Sequence, residues 1–238
     1  AGEAVAACRA AGLHVAIRVN APDTPWGRDD VAAAVRAAPH AIVLPKVQTP
    51  EDIGSLSARI DTLSPGSDIG LWAMMETPRA MLRALEIADA ARGPGRRLRA
   101  LVLGLNDLAR DTGMRPGPGR AAFVGWMADC VAAARANGLA VLDGVCNEIH
   151  DTEALRQECL QAAELGMDGK TLIHPAQVPA CHAAFDVQPA ELAWARTVVA
   201  AFATPAAAGA GALRVEGRMV ERLHLDMAER LLARQHVR

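Results

Sequence analysis

The 238-residue chain contains no tyrosine, and aromatic side chains make up only 3% of it. A core of stacked rings is excluded, so the 51% of hydrophobic residues must fill it with aliphatic groups on a helix-rich frame. Lysine is almost missing as well: Lys46 and Lys170 are the only two. With a formal net charge of -2 there is no basic field for nucleic acid or an anionic membrane surface, and a small-molecule substrate is expected instead. No apolar run approaches the roughly 20 residues that span a bilayer, and the first residues lack the charged-then-apolar plan of a signal peptide. The five cysteines, Cys8, Cys130, Cys146, Cys159 and Cys181, form no CxxC pair and no metal-ligand spacing. Their odd number predicts reduced thiols and a cytoplasmic, soluble chain. The dinucleotide, nucleotide and serine-hydrolase fingerprints GxGxxG, GxxxxGK[ST] and GxSxG are absent too. A Schiff-base aldolase needs a buried lysine, and both lysines fall at predicted strand edges.

What is present is an alternation of short apolar runs with longer helical patterns, the mark of βα units around a parallel sheet. Strands are predicted at 14–20, 41–46, 69–76, 99–104, 139–146 and 170–174. Helices are predicted at 30–37, 50–63, 78–92, 121–137 and 152–165. Thr49-Pro50 and Thr77-Pro78 mark two helix starts, a capping hydroxyl followed by a proline whose missing N–H costs nothing at that position. The length suits a single α/β barrel. Six strands do not close an eight-stranded barrel, however, and residues 1–11 read as an amphipathic helix with no strand before it. The expectation is therefore a (β/α)8 TIM barrel whose first two strands are absent from this chain. Beyond His174 the pattern turns helical, at 176–185, 190–203 and 220–234, interrupted by an Ala/Gly-rich connector at 204–212. This divides the chain into a barrel over 1–203 and a connector with a C-terminal lid helix over 204–238.

Polar residues collect where the strands end: Arg18, Asn20, Lys46, Glu76, Asn106, Asp107, Asp143, Asn147 and His174. In parallel α/β folds those ends share one rim, and the rim holds the site. Glu76 and Asp107 are candidates for Mg²⁺, a hard ion that takes carboxylates and keeps some of its water; the alternative is that both cap the helices that follow. Arg18 suits a two-donor grip on a substrate carboxylate, or else a structural ion pair. Lys46 faces either substrate or a rim salt bridge, His174 is a ligand contact or a satisfied structural group, and Asp143 holds a turn or orients a neighbour.

The ordered segments RVN, IVLPKV, MMETP, LVLGLNDLARDTG, LAVLDGV, ELGMDGKTLIHPAQV and VEGRMVE resemble the citrate lyase β-subunit family, relatives of malyl-CoA and citramalyl-CoA lyases within the HpcH/HpaI aldolase superfamily. The likeness runs from about Val15 to Ala228. It implies a Mg²⁺-dependent carbon–carbon lyase that cleaves a 3-hydroxyacyl thioester, of CoA or a carrier protein, into an oxo acid and an acyl thioester. It further implies that Glu76 and Asp107 bind the metal, that Arg18 holds the carboxylate of the oxo acid, and that Ile173 and His174 line the thioester side; Asn106, at the same rim, is expected to bind substrate. Glu221 matches the catalytic carboxylate that the family offers from a neighbouring subunit of a homotrimer or a multiple of one. The family has Asp there, so the reach differs by one methylene. A CoA-independent pyruvate-type aldolase and a catalytically weakened ligand-binding subunit are the alternatives. Without the resemblance, Glu221 reads as an acidic residue offsetting the dipole of the last helix.

Overall fold

The computed structural model describes residues 2–234 and divides into two compact units, Ala1–Phe185 and Asp186–Arg238. Of the predicted first helix, Ala1 lies outside the described residues, as do the final residues 235–238 of the predicted lid segment.

In the first unit the order is α1 (Gly2–Ala10), β1 (Ala16–Arg18), α2 (Gly27–Ala37), β2 (Ala41–Leu44), α3 (Pro50–Leu63), β3 (Gly70–Met75), α4 (Pro78–Leu82), α5 (Ala84–Asp89), β4 (Leu98–Leu103), α6 (Leu105–Thr112), α7 (Val124–Ala136), β5 (Ala140–Asp143), α8 (Thr152–Glu164), β6 (Gly169–Lys170) and α9 (Val178–Phe185). All six strands expected from the sequence are there, paired in chain order, and every pairing is parallel. This is a parallel half-barrel sheet with helices, as a TIM-barrel-like fold requires.

Side chains alternate along each strand, which separates its two faces. Ile42 and Leu44, Leu71, Ala73 and Met75, then Leu101 and Leu103 are buried in the main core with Ile53, Ile60, Ile87 and Phe123. Arg18, Val43 and Trp72 stand in register on the opposite face. Glu76, two residues beyond Met74, falls on that inner face just past the end of β3. Both helices start where the sequence foretells, α4 with the expected threonine hydroxyl and α3 with the carboxylate of Asp52 in that role. Thr77 accepts the Ala80 N–H at 3.1 Å before Pro78, and Asp52 accepts the Thr49 N–H at 2.9 Å before α3 runs on.

Three local expectations are corrected. The helix predicted at 78–92 breaks at Arg83, whose φ of -120° and ψ of 21° leave the helical region, giving α4 and α5. A short helix, α6, stands directly after β4, where none was predicted. The sixth strand ends at Lys170 instead of reaching His174: after Thr171 donates to the Asp143 carbonyl at 3.0 Å the chain turns away.

The second unit holds α10 (Pro189–Phe202), an antiparallel hairpin of β7 (Ala212–Val215) and β8 (Arg218–Glu221), and α11 (Arg222–Arg234). The expectation of an all-helical C-terminal stretch is thus overturned. Glu216 and Gly217 occupy the two loop positions at φ 48° and 82°, the left-handed pair that a tight hairpin requires. Ala195, Val198 and Phe202 of α10 share one core with Val215, Val220 and Ala228. Among the described residues no helix is long and apolar enough to cross a membrane.

Candidate active site

Glu76 and Asp107 reach the same place from different elements. β3 runs straight into Glu76, which is only 3% exposed, while Asp107 sits in the first turn of α6, one turn beyond the end of β4. Gly104, between β4 and α6, donates its N–H to the Met75 carbonyl at 3.0 Å and so lies against the residue before Glu76.

Lys46 joins the two carboxylates. Its backbone N–H donates to Glu76 Oε1 at 2.8 Å, its ammonium bonds Asp107 Oδ1, and the same Nζ lies 3.8 Å from Glu76 Oε1. Of its two sequence readings, the salt bridge is the one seen. Arg110, one helical turn after Asp107, adds a second ion pair at 3.0 Å to the same Oδ1. The sequence reading passed over Arg110, although the i, i+3 spacing on a helix was available to show it. Burial pushes the Glu76 carboxyl above its ordinary value, and Asp107 pushes the same way, while the Lys46 amide and ammonium oppose them. Two carboxylates close enough to disturb each other, one of them desolvated, form a place that favours a cation.

The donor set fits magnesium. Both carboxylates offer hard anionic oxygens, and the Lys46 ammonium already stands where positive charge is wanted. Among the described residues no cluster of three or more His, Cys, Asp or Glu could hold a metal ion. An ion at Glu76 and Asp107 would therefore keep open positions for water and substrate oxygens, which is how Mg²⁺ commonly sits in proteins.

Arg18 is exposed at the end of β1, and its side chain makes no hydrogen bond or ion pair among the described residues. Asn106 exchanges amide hydrogen bonds with Asn147, both at 2.9 Å, linking the first turn of α6 to the loop after β5. Ile173 is half exposed and donates its N–H to Gln177 Oε1 at 3.1 Å. His174 accepts the Ala176 N–H on Nδ1 at 3.2 Å, a local cap that leaves its other ring nitrogen uncommitted among the described residues. Glu221 closes β8 in the second unit, and its N–H donates to His224 Nδ1 at 2.9 Å. It precedes α11 and does not stand in that helix's first turn.

Lys170 departs from expectation. Its side chain is fully buried, between Asp143 Oδ2 and Glu158 Oε2, each at 2.7 Å. The two carboxylates offset the desolvation and engage the amine, so burial here produces an ion pair and not a free nucleophile. Arg120 completes the group at 2.7 Å from Asp143, and Asp143 also accepts the Gly144 N–H at 2.8 Å.

The family profile described as HpcH/HpaI aldolase/citrate lyase matches residues 1–175. A (3S)-malyl-CoA thioesterase of Cereibacter sphaeroides strain KD131 is 43% identical over 218 residues, 92% of this chain and 73% of that protein. The citrate lyase subunit beta of Escherichia coli K12 is 32% identical over 228 residues, covering 93% and 74%. The structure of CitE from Mycobacterium tuberculosis in complex with magnesium, acetoacetate and coenzyme A superposes with a TM-score of 0.71 at 29% identity, covering 92% of this chain and 77% of that one. A carboxylate pair at the strand ends of a parallel half-barrel, a matching profile over most of the length and relatives at this identity agree: the chain belongs to the HpcH/HpaI aldolase/citrate lyase family of enzymes.

Proposed function

We propose that the chain is a Mg²⁺-dependent carbon–carbon lyase that splits a 3-hydroxyacyl thioester of the malyl, citramalyl or citryl type into an oxo acid and an acyl thioester. The observation that carries this is the buried Glu76 beside Asp107, two carboxylates gathered on one cation at the strand ends. Glu76 and Asp107 would hold the ion, which when bound supplies a Lewis acid for the acid's carboxylate and α-oxygen as the C–C bond breaks. Arg18, free of any protein partner among the described residues, grips the carboxylate with its planar fork. Asn106 contacts the substrate, and Ile173 and His174 line the thioester side. Glu221 moves the proton at the α-carbon of the acyl thioester, reaching from a neighbouring copy in a closed homo-oligomer, a trimer or a multiple. The six strands are read as six of the eight units of a (β/α)8 barrel, with segment 204–238 as its connector and lid. The five free thiols support a reducing, cytoplasmic setting.

A second reading has support in the name of the Cereibacter relative, a thioesterase: hydrolysis of the same thioester. Product analysis separates the two. Incubated with malyl-CoA and Mg²⁺, a lyase releases glyoxylate and acetyl-CoA, whereas a thioesterase releases malate and free CoA. Glu76→Gln and Asp107→Asn should each abolish Mn²⁺ binding in a titration; unchanged affinity in both would overturn the metal assignment.

A further inference from the structure

The backbone of Lys46 is left-handed, at φ 56°, a conformation that L side chains adopt only at a cost. That twist accomplishes two things together: it turns the Lys46 N–H onto Glu76 Oε1 and lays its side chain across to Asp107. Strain held at a residue that touches both carboxylates calls for a role there. The ammonium bonds an oxygen of Asp107 and lies 3.8 Å from Glu76, so it touches both of the carboxylates that would hold an ion. Asp107 Oδ1 already carries two cations, the Lys46 ammonium and the Arg110 guanidinium, and a divalent ion brought to the same carboxylate is repelled by both. Lys46 is the one that also reaches Glu76, so it is the cation that an ion held by both carboxylates must move.

We infer that Lys46 is a built-in placeholder cation: in the metal-free protein its ammonium holds Glu76 and Asp107 together, and the divalent ion binds by displacing it. The inference rests on the metal assignment proposed above. The released side chain has room to move. A cavity of about 400 Å³ opens beside Lys46, lined in part by Asp23, Asp52 and Arg79; Asp52 is already taken by the Gln48 and Thr49 amides, which leaves Asp23 as the carboxylate toward which the ammonium can swing. Lys46 is one-third exposed, whereas Glu76 is buried, so the lysine moves and the glutamate stays. The arrangement keeps the site assembled when metal is scarce, and it lowers the apparent metal affinity by the strength of the contact that must be broken.

The test is a Mn²⁺ titration of the full chain followed by electron paramagnetic resonance, beside thermal unfolding with and without Mg²⁺. Lys46→Met should bind Mn²⁺ on the order of fivefold more tightly than the parent, the worth of a part-exposed ion pair. The metal-free variant should melt lower than the metal-free parent and gain more from Mg²⁺, because binding to the folded state alone stabilises it. A measurement on the unaltered protein stands beside the variant. Lys170 is buried, so Lys46 is the accessible lysine, and acetylation at Lys46, read by peptide mass spectrometry, should quicken several-fold when Mg²⁺ frees it from Asp107. Unchanged or weaker Mn²⁺ affinity in Lys46→Met, or acetylation indifferent to Mg²⁺, overturns the placeholder. If instead the parent binds no Mn²⁺, or Glu76→Gln binds it as well as the parent, the metal assignment itself fails.

Discussion

At Gly104 the absence of a side chain is what lets Glu76 lie where it does. An added Cβ would stand 2.4 Å from Glu76 Cβ and 2.8 Å from Oε2, and the buried glutamate has nowhere to retreat. Gly104→Ala is expected to push the carboxylate out of place, weakening Mn²⁺ binding by about tenfold and costing roughly 1–3 kcal/mol of stability. Titration and urea unfolding check both; parental values in each would show that Glu76 has slack the geometry denies it. Arg18 makes the opposite kind of prediction, because it contacts nothing that holds the fold among the described residues. Arg18→Lys should leave the melting temperature close to the parent's while weakening oxo-acid binding, since a point charge does not reproduce a two-donor grip. Calorimetry with oxaloacetate, pyruvate and glyoxylate decides it: equal affinities would take Arg18 out of the site.

β6 contributes only two residues to the ladder, so something besides backbone pairing must fix its end of the sheet. The Arg120, Asp143, Lys170 and Glu158 group supplies that, joining β5 and β6 to α8 with charges that sum to zero. Lys170→Met would leave Asp143 and Glu158 sharing one guanidinium in a buried setting, and the expected loss is roughly 3 kcal/mol in urea unfolding. A loss under about 1 kcal/mol would mean that packing carries this edge without the lysine. None of this group was legible as a cluster, because its partners come from separate segments and only the fold brings them together. The strands were legible, since each is a short apolar run, and so were Glu76 and Asp107, which follow two of them. Lys46 was legible as a rim residue with a salt bridge among its readings, but its two partners and its left-handed backbone were not, since neither leaves a mark in a sequence. α6 was overlooked because its run LNDLARDT is short and mostly polar on one side, despite Gly113 closing it in left-handed geometry. The β7–β8 hairpin did carry a signal, Glu216-Gly217 between alternating residues in ALRVEGRMVE, which the Ala/Gly-rich stretch before it obscured.

Glu221 belongs to a compact unit of its own, at the end of a hairpin strand and beside the start of α11, and Glu76 and Asp107 belong to the other. A carboxylate carried on a separate unit can serve either the metal pair of its own chain or that of a neighbouring copy, and one experiment distinguishes them. A Glu76→Ala subunit lacks the metal site and keeps the carboxylate; a Glu221→Ala subunit keeps the metal site and lacks the carboxylate. Each alone should be inactive in thioester cleavage. If the carboxylate acts within its own chain, every site in a mixed oligomer carries one of the two defects and mixing restores nothing. If it acts across an interface, some sites combine an intact barrel with an intact Glu221 from a neighbour. For random exchange in a closed ring about a quarter of the sites are whole, so activity near 25% of the parent's is the expected ceiling. Recovery must follow subunit exchange, so brief unfolding and refolding of the mixture should raise it further than simple mixing of preformed oligomers. Full activity of Glu221→Ala by itself would remove Glu221 from the chemistry, leaving its position ahead of α11 as a favourable interaction with the helix dipole.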